Sequence, residues 1–263
     1  MDKDSEQQVL PGVEVTRVTA VSPSALARYE HCPRLYRFLN VDGLWQYSRS
    51  SPQQAFGTSV HAALREFFRV PPRRRDLDVL LGAFKTAWGR EGGGARAERA
   101  RGIDALKSWY ERADVHAVPV ATEVALSATW GEITLKGRLD RIDRVPGGLR
   151  VVDYKTGQRP ASQARADADQ ALTVYAAIAA KRLGEPVAEL VLDYVVAGVE
   201  VRTTRPPEVL AERLGEVLAT AKALRADTVY LPRTGTWCAR CDLLGRCPDG
   251  QARVVAETAA AEV

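Results

Sequence analysis

Apolar residues recur along this chain with two different spacings. Over residues 135–143 and again over 149–154, apolar and polar positions alternate, the period of a half-buried strand. Pro146-Gly-Gly148 between them predicts a β-hairpin. The first of these runs belongs to a strand over 133–145, and further strands are predicted over 118–130, 188–196 and 199–204. Elsewhere the spacing is helical. Ser22-Pro-Ser24 opens the first helix, with serine as cap and proline tolerated in the first turn. Leu26, Tyr29, Leu35, Tyr36 and Phe38 supply its apolar side, and Pro33 interrupts or restarts it just after Cys32. Phe56-Gly-Thr-Ser-Val-His61 leads into a helix over 62–68, with His61 in its first turn, that Pro71-Pro72 ends. Two amphipathic helices, about 77–90 and 97–112, flank Glu91-Gly-Gly-Gly94, and 165–183 and 207–224 predict two more. Residues 42–54 read as an exposed loop carrying Trp45 and Tyr47, 1–18 as a loose lead-in with one strand, and 251–263 as a frayed helix or tail.

Helices, three strands, a helix, two strands and a helix, in that order, predict an α/β fold with a central mixed sheet flanked by helices. A single domain over 21–250, with a helical insertion at about 62–115, accommodates it, and 263 residues with 46% hydrophobic content can bury the core.

The hairpin also sets the direction of its side chains. Successive residues of a strand face opposite ways, so Asp153 and Lys155 share one face while Val152 and Tyr154 take the other. If Asp140 on the partner strand faces as Asp153 does, two carboxylates and a lysine converge where a hard divalent cation can sit beside water and phosphate. Asp143 is expected on the same face as Asp140 and is the alternative ligand; a salt bridge to a neighbouring arginine is its expected role.

Composition narrows the classes. A balance of 37 basic and 33 acidic residues gives +4, too mild to mark a nucleic-acid binder by itself. The arginines are clumped, however, in Arg73-Arg-Arg75, from Arg90 to Arg101, and at Arg138, Arg141 and Arg144 beside the hairpin, which suits a phosphate backbone. No lysine-serine or lysine-threonine pair follows the glycine run at 92–94, so it is a flexible break and not a nucleotide-binding loop. The polar N-terminus lacks a secretory apolar stretch, and no run reaches the length of a membrane span, so a cytoplasmic protein with no membrane partner is expected.

In that compartment structural disulfides are rare. The four cysteines are Cys32 and, far downstream, Cys238-x2-Cys241-x5-Cys247. Four thiolates hold either a tetrahedral zinc ion or an iron–sulfur cluster. A zinc ribbon presents two close pairs, so the three-plus-one spacing leans toward a [4Fe-4S] cluster stapling residues 29–36 to 236–248.

Taken together these motifs resemble the PD-(D/E)XK nucleases of the RecB type, in the iron–sulfur branch that includes the AddB nuclease domain and the CRISPR-associated RecB-like exonucleases. Residues 22–33 look like that branch's opening signature, Gly57-Thr-Ser-Val-His61 like its Gly-x-x-x-His motif, and Gly137-Arg-Leu-Asp-Arg-Ile-Asp143 and Val151-Val-Asp-Tyr-Lys-Thr-Gly157 like its second and third motifs. Residues 238–247 look like its closing cysteine triad. The resemblance implies a restriction-endonuclease-like core and a divalent-metal-dependent deoxyribonuclease, an exonuclease on single-stranded DNA or DNA ends, in repair, recombination or related DNA processing. By that similarity His61, Asp140, Asp153 and the Tyr154 carbonyl bind Mg²⁺ or Mn²⁺, Asp140, Asp153 and Lys155 are catalytic, and Glu123 supports the site. Arg138 and Arg141 are the expected DNA contacts, and a helicase or a recombination or adaptation protein is the expected partner. The family's helical Gln-x-x-x-Tyr is altered here: Gln170 and Tyr175 are five residues apart, which at 3.6 residues per turn rotates them away from each other. Tyr175 aligns naturally, while Gln170 reaches the site only if the helix begins there or bulges. Two other classes remain: an iron–sulfur DNA-binding or recombination-partner module with weak or no cleavage, and a zinc-stabilised structural protein.

Overall fold

The computed structural model describes residues 20–48 and 52–261, so the expected lead-in strand lies outside the described residues. The chain runs β1 (Ala20–Val21), α1 (Pro23–His31), α2 (Pro33–Tyr36), α3 (Pro52–Arg69), α4 (Leu77–Arg90) and α5 (Arg96–Arg112). Then come β2 (Ala121–Trp130), β3 (Ile133–Val145), β4 (Gly148–Lys155), α6 (Gln163–Asp167), α7 (Gln170–Leu183), β5 (Val187–Tyr194), β6 (Val199–Thr203), α8 (Pro207–Ala226) and α9 (Pro248–Ala261).

Local chemistry accounts for most boundaries. The Ser22 hydroxyl accepts from the Ala25 N–H at 3.3 Å and starts α1, and Cys32, in extended conformation ahead of Pro33, separates α1 from α2. The predicted helix over 165–183 is two helices. Asp169 stops the first and caps the second, its carboxylate accepting from Leu172 N–H at 2.9 Å. The expected loop over 42–54 contains a 3-10 turn at Leu44–Tyr47, and α3 begins at Pro52, so His61 lies in mid-helix rather than in a first turn.

The sheet is mixed, in the order β1-β3-β4-β5-β6, with β2 on the other edge of β3. β1 runs parallel to β3, β2 and β4 antiparallel to it; β4 and β5 are parallel, β5 and β6 antiparallel. The β3–β4 hairpin closes on Pro146 and Gly147, with Gly147 and Gly148 at φ +87° and +140°, and a Cβ on Gly148 would collide with the Pro186 carbonyl. The register leaves part of one edge of β3 unpaired. On that edge, β4 pairs with Arg141 to Val145 and β1 with Thr134 and Leu135, so residues 136–140 between them have no strand neighbour there. The sheet therefore has a gap, and Asp140 stands at its rim.

Helices cover both faces. On one, Phe56, Val60, Leu64 and Phe67 of α3 pack with Phe84, Leu106 and Trp109 on Val152, Tyr154 and Val191. Burial of each such side chain contributes about 1.5–3 kcal/mol. On the other, Leu172, Ala176 and Ala179 of α7 cover Leu139, Ile142, Val151, Leu190 and Leu192. The sheet is thus clamped from both sides around the gap. No helix among the described residues is long and apolar enough to cross a membrane.

Candidate active site

The gap gathers side chains from α3, β2, β3 and β4. Past the last β3–β4 pair, the Asp140 carboxylate takes over from the ladder: its Oδ2 accepts the Tyr154 N–H at 2.8 Å. Its Oδ1 lies 3.2 Å from Nδ1 of His61, and the same nitrogen is 3.6 Å from Oε1 of Glu123. Among the described residues, His61, Glu123 and Asp140 are the group of histidine, cysteine and acidic side chains whose ligand atoms all lie within 4.8 Å of one another. Asp153 is next to them on β4 and forms an ion pair with Lys155.

Each member is held by its element. His61 and Gly57 are four residues apart and share one face of α3. At Gly57 the helix approaches the chain beyond β4 so closely that a Cβ would lie 3.3 Å from Oγ1 of Thr156. One turn on, that approach brings His61 to Asp140. Glu123 stands opposite Asp140 on β2, at the one place where the ladder between Thr122–Arg141 and Val124–Leu139 is interrupted, and its backbone is left-handed, φ +48°. A side chain forced into that region costs about 1–3 kcal/mol, and such strain gathers at functional sites. Its other carboxylate oxygen is 2.9 Å from Nε of Arg138.

The electrostatics follow from crowding. Burial opposes a charge on His61, but hydrogen bonds to Asp140 and Glu123 outweigh it and push the imidazole up to about 10. Burial raises the Asp153 carboxyl, with Lys155 opposing and Asp140 reinforcing the rise. Burial also works against the Lys155 ammonium, yet the Asp153 carboxylate prevails and raises it. A cluster of carboxylates with one imidazole suits a hard divalent cation, and nitrogen in the set is compatible with Mn²⁺ as well as Mg²⁺.

Several expected residues lie elsewhere. Asp143 is on the opposite face from Asp140, since three steps along a strand reverse the direction; there it pairs with Arg141 at 2.7 Å. Arg141 is itself buried, 7% exposed, with its guanidinium 4.1 Å from the Phe68 ring centroid, so it does not offer the DNA contact expected of it. Gln170 begins α7, but its amide donates to Glu30 of α1 at 3.1 Å and not to the acidic group. Tyr175 does face the site: its ring lies over Gly137, where a Cβ would come within 2.7 Å, and burial with the Asp153 and Asp140 charges raises its hydroxyl. Arg138 is exposed at the rim and tied to Glu123. Glu123, expected to support the site, belongs instead to the inner set of ligand atoms.

A second group of side chains joins the segment after α1 to residues 236–248. Cys32, Cys238, Cys241 and Cys247 line one cavity of about 320 Å³ together with His31, Leu35 and Trp237. Burial raises the Cys241 thiol, and the other three cysteines are near enough to raise it further. The sulfurs are not packed as closely as the acidic group, for no set of three falls within the same 4.8 Å limit.

A mixed sheet clamped between helices, with carboxylates, a histidine and a lysine at a gap between its strands, defines a restriction-endonuclease-like α/β core. The chain matches the model of the PD-(D/E)XK nuclease superfamily over residues 20–248 and belongs to that family. Among solved structures, a protein of Eubacterium rectale, named as a candidate exonuclease, superposes with a TM-score of 0.58 at 14% identity, covering 87% of this chain and 88% of its own. That likeness is one of fold. A structure of SSO0001 has a TM-score of 0.42 at 16% identity, over 90% of this chain and 89% of its own. No curated protein matches.

Proposed function

We propose that the protein is a metal-dependent deoxyribonuclease, an exonuclease of the RecB-like iron–sulfur branch acting on single-stranded DNA or DNA ends. The observation that carries the reading is the convergence of His61, Glu123 and Asp140 beside the Asp153–Lys155 pair at the sheet gap. His61, Asp140, Asp153 and the Tyr154 carbonyl are the ligands assigned to Mg²⁺ or Mn²⁺, with Glu123 added from its place in the group. Bound there, the cation supplies a Lewis acid and a water of lowered pKa. The chain does the rest. Asp140 and Asp153 fix the geometry, Lys155 sets a positive charge where the scissile phosphate gains negative charge, and Tyr175 walls the site. Arg138 at the rim is placed to meet the backbone. Phosphodiester hydrolysis is the reaction, in repair, recombination or related DNA processing in the cytoplasm, with a helicase or a recombination or adaptation protein that exposes ends as the partner class.

Cys32, Cys238, Cys241 and Cys247 are assigned to a [4Fe-4S] cluster joining α1 and α2 to residues 236–248. What favours it over zinc is the three-plus-one distribution along the chain, where a zinc ribbon presents two close pairs, and the four thiols share one cavity.

The test uses anaerobically purified protein with labelled single-stranded and duplex DNA and either metal, beside Lys155→Ala and Asp153→Ala. Cleavage by the wild type alone is expected. Equal cleavage by all three proteins would remove the assigned site, and none by the wild type would favour a DNA-binding module. A visible charge-transfer absorbance lost on Cys32→Ser is expected for the cluster; a colourless protein with stoichiometric zinc would overturn it.

A further inference from the structure

The connection that leaves β4 after Lys155, together with α6 that follows it, carries cations that no carboxylate holds. It is anchored at the Ala161 N–H, which donates to the Tyr194 hydroxyl at 2.9 Å, and it walls a depression of about 460 Å³. Lys155, Arg159, Arg165, Asp169, Leu192 and Tyr194 line that depression. Arg159 and Arg165 are exposed, and among the described residues their side chains enter no ion pair or hydrogen bond. The contrast with the rest of the sheet is what matters: Arg138 is held by Glu123, Arg141 by Asp143, Arg150 by Glu189 and Arg202 by Glu200. The lone carboxylate in the depression, Asp169, is occupied as the cap of α7.

Position adds to charge. Asp140 stands on β3, whereas the depression lies over β4 and β5, one to two strand spacings of about 4.8 Å away. Lys155 belongs to both places, since its ammonium meets Asp153 while its side chain lines the depression. Pro160, exposed at the edge of the depression, supplies apolar surface against which a sugar can lie. Guanidinium groups match phosphate oxygens with paired donors.

We propose that this depression binds a backbone phosphate one or two nucleotides from the scissile one, with Arg159 and Arg165 as its ligands and Lys155 shared between the two subsites. The proposal rests on the nuclease reading above and adds to it the grip that sets where the strand is cut.

Two measurements test it with wild type, Arg159→Ala, Arg165→Ala and the double variant. In the first, a fluorescent single-stranded oligonucleotide is titrated in Ca²⁺ buffer at several salt concentrations. The double variant is expected to bind about three- to tenfold more weakly, with a log–log salt slope smaller by about 0.7 for the lost phosphate contact. In the second, single neutral methylphosphonate linkages are stepped along a substrate cut in Mn²⁺. A linkage flanking the cut is expected to slow the wild type about tenfold and to have no further effect in the double variant. An unchanged salt slope together with equal sensitivity to every linkage overturns the subsite. If the wild type cuts nothing, the nuclease reading fails instead, and the salt slope still decides whether the arginines hold phosphate.

Discussion

The Asp140 carboxylate and the Tyr154 amide meet at 2.8 Å where β3 and β4 part, so one side chain both closes the end of a ladder and turns its other oxygen toward His61. The two duties are separable. Asp140→Asn keeps an acceptor for Tyr154 but loses the charge, and it is expected to fold with nearly wild-type stability while Mn²⁺ binding falls sharply. Asp140→Ala leaves the buried amide unsatisfied and is expected to lose about 1–3 kcal/mol as well. Thermal melts paired with metal titrations check both; equal stability of the two variants would show that the hydrogen bond contributes nothing.

Glu123 holds a left-handed backbone beside two other charged groups. Glu123→Gly removes the side chain that makes φ +48° costly, whereas Glu123→Ala keeps that strain and loses the same carboxylate contacts with His61 and Arg138. Glu123→Gly is expected to be more stable than Glu123→Ala by about 1 kcal/mol in chemical denaturation without metal, and both variants to lose cleavage. Equal stability of the two variants would mean that the strain is not stored there.

The Tyr175 ring occupies the space above Gly137. Gly137→Ala is expected to destabilise by about 1–3 kcal/mol through overpacking. Because Tyr175→Ala vacates that space, the double variant should be more stable than the sum of the two single changes predicts. Additive effects in the double-mutant cycle would remove the contact from the account.

Arg141 and Asp143 form a buried pair on the face away from the acidic group. Removing one partner strands the other, so Arg141→Ala is expected to cost about 3–5 kcal/mol. The salt dependence of DNA binding, measured on the fraction that remains folded, should not change. A reduced slope with normal stability would restore Arg141 to the DNA surface.

Much of this protein was written in local pattern. The alternation over 149–154 placed Asp153 and Lys155 on one face, Ser22 and Pro33 marked helix starts, and the close spacing of Cys238, Cys241 and Cys247 brought them to one cavity, because strand period, cap chemistry and short cysteine spacings act over a few residues. The face of Asp143 was open to the same rule, since an odd step along a strand inverts it, although the expectation sets it beside Asp140. What the tertiary structure alone decided are relations between distant segments. Glu123 enters the inner group because β2 pairs with β3 in one register and breaks that ladder opposite Asp140. His61 reaches that group because α3 closes on the chain at Gly57, Gln170 is drawn to Glu30 of α1, and Arg141 disappears beneath Phe68. Arg159 and Arg165 carry no sequence signal at all, for whether an arginine is paired depends on which carboxylates packing brings within about 4 Å. Register, helix approach and ion pairing are set by the packing of the whole core, and no short-range period encodes them.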